Sequence, residues 1–343
     1  MRARDLGLAC GTLPAGMNNT IADVPSVLVG HATIVDGDIR TGVTAILPHD
    51  GDLFLDKPLA AAAVLNGFGK SVGLVQLAEL GTLETPILLT NTFGVGTCAN
   101  TLIRRAVHTV PEIGRQTSTV NPVVLECNDG YLNDIQAMAV TEAHVGSAIE
   151  EAAESFDLGA VGAGTGMSCF GLKGGIGSAS RQLRLDDRIY HLGVLLLANF
   201  GRAGDLRLPD GRRIDPGGAD IADRGSCIIV IGTDVPLDCR QLGRVAKRAG
   251  VGLALCGSFW GNGSGDIALA FTTANRVPHE ADEDFLPYRA LAEFRIDRLF
   301  QAVAEATQEA VLDALAAAPT TVGRNGHMRR SLAEVLAAGG ARL

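Results

Sequence analysis

Gly261-Asn262-Gly263-Ser264-Gly265-Asp266 is the segment whose residue types best suit chemistry. An apolar run from Ile267 to Thr273 follows at once and reads as a strand. A glycine-rich turn thus delivers a serine to the start of a strand. Ser264 in that place can attack the Gly263 carbonyl, take the acyl group onto its oxygen and lose it to water. The α-amine so released has a pKa of ~7.7–8.0, so a useful fraction is neutral at cellular pH. It can accept the proton of its own hydroxyl, which puts base and nucleophile in one residue. Gly263 suits the cut, because a residue without a Cβ tolerates the strained backbone it needs. The competing reading is a flexible Gly/Ser turn before a strand, and these six residues alone leave both open.

Other patterns point elsewhere more weakly. Gly94-Val-Gly96-Thr-Cys-Ala99 follows a strand and opens a helix, and the next strand carries Glu126. That is a G-x-G-x-x-A match, and a nucleotide-dependent oxidoreductase is the alternative function it would support. The acid lies further off than the usual ~20 residues, so a tight turn for close helix–sheet packing is preferred. Seven histidines show no H-E-x-x-H spacing, and seven scattered cysteines form no C-x-x-C pair, so no metal or other cofactor is expected. Ser258 in Cys-Gly-Ser-Phe does not form G-x-S-x-G, which argues against an α/β-hydrolase elbow.

Several blocks together resemble the DmpA-like family of L-aminopeptidase/D-esterases and β-peptidyl aminopeptidases. They are Arg-Ala-Arg-Asp-Leu-Gly at residues 2–7, then residues 18–31, 40–48, 128–135, 159–167 and 173–181, and the Gly261 to Asp266 turn. The blocks occur in family order along nearly the whole chain. The resemblance implies an α/β (α+β) fold of four layers, an αββα sandwich of the N-terminal-nucleophile type. It implies one domain, residues 1–343, self-cleaved into an α chain 1–263 and a β chain 264–343. It implies release of N-terminal residues from short peptides, amides or esters through an acyl-enzyme on Ser264, with no metal. Asn199 matches the asparagine expected to donate to the oxyanion, and Tyr131 matches a tyrosine expected to assist. A hydroxyl and a glutamate two residues apart, which orient the nucleophile and its amine, match Thr307 and Glu309. A slip of one residue would put Ala306 and Gln308 there instead, as in a relative that folds without processing. Homo-oligomers, tetramers or larger, are implied in the same way.

Elements must hold these groups in place. Short strands are expected over residues 21–34 (a strand pair), 43–47, 86–90, 123–127, 191–199, 226–231 and 267–273. Helices are expected over 60–80, 99–107, 140–155, 239–256 and 297–317, with a fraying one in 329–343. Residues 199–225 read as a surface loop and 159–177 as a glycine-rich stretch. The chain has 47% hydrophobic residues over 343, enough for a sizeable core. Its net charge of −9, with no basic cluster, argues against nucleic acid as a partner. Residues 1–11 lack an apolar run suited to a signal peptide, and no run is long enough to span a membrane, so a cytoplasmic protein is expected.

Overall fold

The structure, a computed structural model, describes residues 1–217 and 225–342. Its long strands are β1 (Leu28–Asp36), β2 (Ile39–Leu47), β3 (Asp56–Gly67), β4 (Ile87–Asn91), β5 (Val123–Cys127), β6 (Gly175–Leu185), β7 (Arg188–Asn199), β8 (Ser226–Thr233) and β9 (Gly265–Pro278). The helices that matter here are α1 (Leu74–Leu80), α2 (Val95–Thr109), α3 (Glu142–Glu150), α4 (Cys239–Leu255) and α5 (Asp297–Ala317). One sheet has four strands in the order β1-β2-β4-β5, the other five in the order β3-β9-β8-β7-β6. Both are mixed: β4 runs parallel to β5 and β8 parallel to β9, and the other pairs are antiparallel.

Alternation along the strands assigns the layers. Ile87, Leu89, Val123 and Leu125 share one buried cluster with Leu195, Leu197, Ile228, Val230, Ile267 and Leu269 of the other sheet. That cluster is the core between the sheets. The intervening residues face outward: Leu88 and Val124 pack under α2 and α3, while Leu196, Ile229 and Ala268 pack under α4 and α5. Helix, sheet, sheet and helix stack in that order, which is the four-layer sandwich expected. Asp238 starts α4 by accepting from Gln241 N at 2.6 Å, and Gln241 reaches back to Asp238 N, a reciprocal cap. Among the described residues no helix is long and apolar enough to cross a membrane.

Some elements differ from expectation. Residues 60–80 are not one helix: their first part is β3, and only Leu74–Leu80 is helical. Alanine favours helix by propensity, yet here Ala60, Ala61, Ala62 and Ala63 pair with β9. Their small side chains let α4 close on the sheet, where a Cβ on Gly243 would lie 3.7 Å from that of Ala61. Residues 21–34 are not a strand pair. Ile21–Asp23 is a 3-10 turn, and β1 instead pairs with β2 around Gly37, at φ +48. Strand β6 emerges from the end of the glycine-rich stretch. In the expected loop, Arg213–Ile214 pairs with Ala341–Arg342, and residues 218–224 lie outside the described residues.

Glycine in β6 is required by α5 above it. A Cβ on Gly177 would sit 1.8 Å from the Ala310 carbonyl oxygen and 2.7 Å from Ala314 N, both backbone atoms of α5. Gly177→Ala should therefore cost about 1–3 kcal/mol and lower the midpoint of a thermal melt. An unchanged midpoint would show that α5 shifts without penalty.

His31 ties the first sheet to the glycine-rich stretch. Its Nε2 meets the Asp157 carbonyl at 3.1 Å and must donate; its Nδ1 then accepts from the Thr44 hydroxyl at 2.9 Å. Thr44 Oγ1 in turn accepts from Ala163 N. Burial pushes the His31 imidazole down from 6.5 to about 4. The unfolded chain then binds a proton that the folded chain refuses, so this contribution is complete above pH 6.5 and lost as pH falls to about 4. Urea unfolding across that window should show stability falling with acid, and His31→Gln should flatten the slope.

Candidate active site

Ser264 sits immediately before β9, at one end of the five-stranded sheet, and is 1% exposed. Its backbone is clamped on both sides. The amide donates to the Gly261 carbonyl at 2.9 Å, closing a turn over Asn262 and Gly263. The carbonyl accepts from Phe68 N at 3.2 Å and, by a very short bond, from Asn66 Nδ2. Asn66 also donates to Gly261 O at 3.0 Å, so one side chain holds both ends of the turn. Gly265 N donates to Ser226 Oγ at 3.2 Å. The Ser264 hydroxyl donates to Asp266 Oδ1 at 2.9 Å, and Asp266 is fully buried.

Strand register brings Asn199 to the same end. Asn199 of β7 is opposite Ser226 of β8, which is opposite Gly265 of β9. Two strand spacings separate Asn199 from Gly265, about 10 Å. The Asn199 amide donates to Asn128 O at 2.9 Å, and its oxygen accepts from Ser168 N at 2.9 Å. Ser168 belongs to the wall that the glycine-rich stretch builds. Lys173, fully buried, pins that wall by donating to the carbonyls of Gly164, Met167 and Gly174 at 2.9, 3.0 and 2.7 Å. Burial pushes the Lys173 ammonium down to about 7, against the pull of Asp129. Burial likewise pushes the Asp129 carboxyl up to about 7, against hydrogen bonds from Thr41 and Asn133.

Tyr131 lies three residues beyond Asn128, on the loop that meets Asn199. The residue is 38% exposed, its ring stacked on His327 at 4.6 Å and covered by the Arg329 guanidinium at 3.6 Å.

Thr307 and Glu309 diverge, because residues two apart on a helix do not face each other. Thr307 is turned toward α4, where a Cβ on Gly252 would lie 2.6 Å from its Cβ. Glu309 is turned toward β6 and the N-terminal segment. It pairs with Arg181 at 2.8 Å and Arg4 at 2.5 Å, and accepts from Asn19. Burial would raise the Glu309 carboxyl, but the Arg4 bond and the Arg181 charge outweigh it and hold it low. Arg181 is opposite Leu192, seven residues along β7 from Asn199, or roughly 23 Å. The structure therefore gathers Ser264 and Asn199 at one end and places Glu309 with Arg181 well along the sheet. Of the residues a one-place slip would select, Ala306 is in the apolar core, and the Gln308 carbonyl accepts from Cys256 Sγ.

The Gly94 turn does form a strand–turn–helix unit, with β4 and β5 parallel and α2 between them. Two of its amides are already filled. Asn91 Oδ1 accepts from Phe93 N and Gly94 N at 2.9 Å each, where a phosphate would sit. Glu126, 2% exposed at the end of β5, accepts from Lys70 N at 2.9 Å and from the Thr92 hydroxyl. It faces the serine end instead: a Cβ on Gly69 would lie 3.8 Å from Glu126 Oε1 and 4.0 Å from Gly265 Cα. Sequence reasoning missed Glu126 in this position, because only sheet register places the end of β5 beside the start of β9. Among the described residues no group of three or more His, Cys, Asp or Glu could hold a metal ion.

Comparison with known proteins identifies the family. Residues 19–329 match peptidase family S58. The β-peptidyl aminopeptidase BapA of Sphingosinicella microcystinivorans is 36% identical over 95% of this chain and 88% of its own length. The PH0078 protein from Pyrococcus horikoshii OT3 superposes with a TM-score of 0.94 at 46% identity, covering 99% of this chain and 98% of that one. The L-aminopeptidase D-Ala-esterase/amidase from Ochrobactrum anthropi is described as a prototype for the serine aminopeptidases and a new variant among the Ntn hydrolase fold. It superposes with a TM-score of 0.89 at 35% identity, covering 98% of this chain and 97% of that one. The family match, the relatives and the shared fold place the chain in peptidase family S58, as an aminopeptidase of the Ntn type.

Proposed function

We propose that the chain cuts itself between Gly263 and Ser264 and then removes N-terminal residues from small peptides, amides or esters. The observation that carries this reading is the clamped, buried Ser264 at the start of β9, with its hydroxyl directed at a carboxylate. Once cut, Ser264 holds both nucleophile and α-amine base, and the acyl group passes through its ester. Asn199 has a second amide hydrogen beyond the one given to Asn128 and is the proposed oxyanion donor, a role worth ~3–4 kcal/mol of barrier. Tyr131 is proposed to assist from the adjoining loop. Glu309 is shared among Arg4, Arg181 and Asn19, which supports an architectural role for it over the orienting one. Glu126 is the proposed holder of the substrate ammonium: a buried acid at the serine end, with Gly69 leaving the space between open.

A denaturing gel with mass spectrometry tests the first part. Active protein should give fragments beginning at Met1 and Ser264, and a single full-length band from active protein would sink the proposal. Ser264→Ala should leave the chain intact and inactive. Ser264→Cys should still process, more slowly, since a thiol can make the same acyl shift.

Glu126→Gln removes the charge and keeps the shape. It should raise KM for amine-bearing substrates roughly 10–100-fold, the worth of a hydrogen bond to a charged group, and change kcat less. Esters lacking the amine should be hydrolysed as by the wild type. An equal loss on both substrates would assign Glu126 a structural role.

A further inference from the structure

The α-amine explains turnover but not the first cut, because it exists only after that cut. Before it, the Ser264 nitrogen is an amide that donates to Gly261 O at 2.9 Å, and its lone pair is delocalised into the peptide bond. Something else must take the hydroxyl proton. We propose that Asp266 is that base, a catalytic residue of maturation distinct from the base of turnover. The inference rests on the self-processing reading above.

Three observations carry it. Ser264 Oγ donates to Asp266 Oδ1 at 2.9 Å, within the reach that proton transfer requires. The two residues are two apart on extended chain, so their side chains share a face and the contact is built into the strand. Both are almost wholly removed from solvent, at 1% and 0% exposure, which leaves bulk water a poor competitor for the proton. The neighbours are unsuited to the task. Ser226 Oγ is a hydroxyl already accepting from Gly265 N. Cys127 and Cys227 are held as thiols, pushed well above their ordinary range first by burial, then for Cys127 by the Glu126 charge and for both by that of Asp266.

The step balances without a co-reactant other than water. Ser264 Oγ attacks the Gly263 carbonyl carbon as its proton passes to the Asp266 carboxylate. The tetrahedral adduct collapses, the bond from Gly263 C to Ser264 N breaks, and Asp266 returns the proton to the leaving nitrogen. An ester joins Gly263 to the Ser264 oxygen beside a free amine. Water then hydrolyses the ester to a Gly263 carboxylate and the Ser264 hydroxyl.

A double-substitution cycle on the full chain tests this, with fragment appearance followed on denaturing gels. Asp266→Asn should slow cleavage at least ~100-fold in the wild-type background, the usual worth of a general base. In the Ser264→Cys background the same substitution should change the rate less than tenfold, because a thiol with a pKa near ~8.5 ionises far more readily than a hydroxyl. Cleavage of Asp266→Asn at the wild-type rate would overturn the proposal and leave self-processing intact. Equal slowing in both backgrounds would overturn it too, by showing a structural role. A wild-type chain that never splits would overturn self-processing itself. Thermal melts against uncut Ser264→Ala establish that the variant is folded. If Asp266→Asn melts early, Asp266→Ala must give the same pattern across the cycle.

Discussion

The parallel pairing of β8 with β9 is the constraint on which this end of the molecule rests. It aligns Ser226 with Gly265, while the antiparallel pairing with β7 aligns Ser226 with Asn199. A slip of one residue would turn every side chain of β9 to the opposite face and send Ile267 and Leu269 out of the core between the sheets. Register is therefore enforced by the burial of residues that take no part in the chemistry. Ser264 inherits its position from the sheet rather than from the loop that precedes it, and β3 completes the clamp through Asn66 and Phe68. A nucleophile held by strand ends is placed more exactly than one held by a loop.

A second framework lies along the sheet from the site. Arg181, fully buried, meets Glu305 at 3.1 Å and Glu309 at 2.8 Å, while Arg2 reaches Asp313 at 2.6 Å and Arg4 reaches Glu309. Such pairs contribute little net stability against apolar replacements, but removing one partner leaves a buried charge uncompensated. Their consequence is geometric. They lay the first residues of the chain across α5 and fix where that helix crosses β6. The Arg-Ala-Arg-Asp-Leu-Gly block near the start of the chain is thus architecture.

What could be read beforehand follows the same division. The place of Ser264 at a strand start was legible because a glycine turn before an apolar run is a local pattern. Strands β5, β7 and β8 were legible because β-branched and leucine-rich runs have few other uses. Strand β3 was hidden by alanine, whose intrinsic helix preference is overridden by pairing with β9 and by the approach of α4. Strand β6 was hidden because Gly175, Gly177, Ser178 and Ser180 carry no apolar signal, and the small size of Gly177 answers to α5. Asn199 and Ser264 are 65 positions apart, and only register joins them. The facing of Thr307 and Glu309 depends on which neighbour each side of α5 meets, and spacing along the sequence does not contain that.

The place of β9 also bears on how the chain comes into being. It lies between β3 and β8, so the interior of the larger sheet is supplied by a segment that leaves the ribosome after both its neighbours. Until then β3 and β8 have no common neighbour, and the apolar faces meant for α5 are uncovered. Assembly must wait for β9 and then close its pairing with β3 across a large sequence separation, which is slow. Before β9 is made, β3 and β8 are open edges, the kind of exposed strand that invites pairing with other chains.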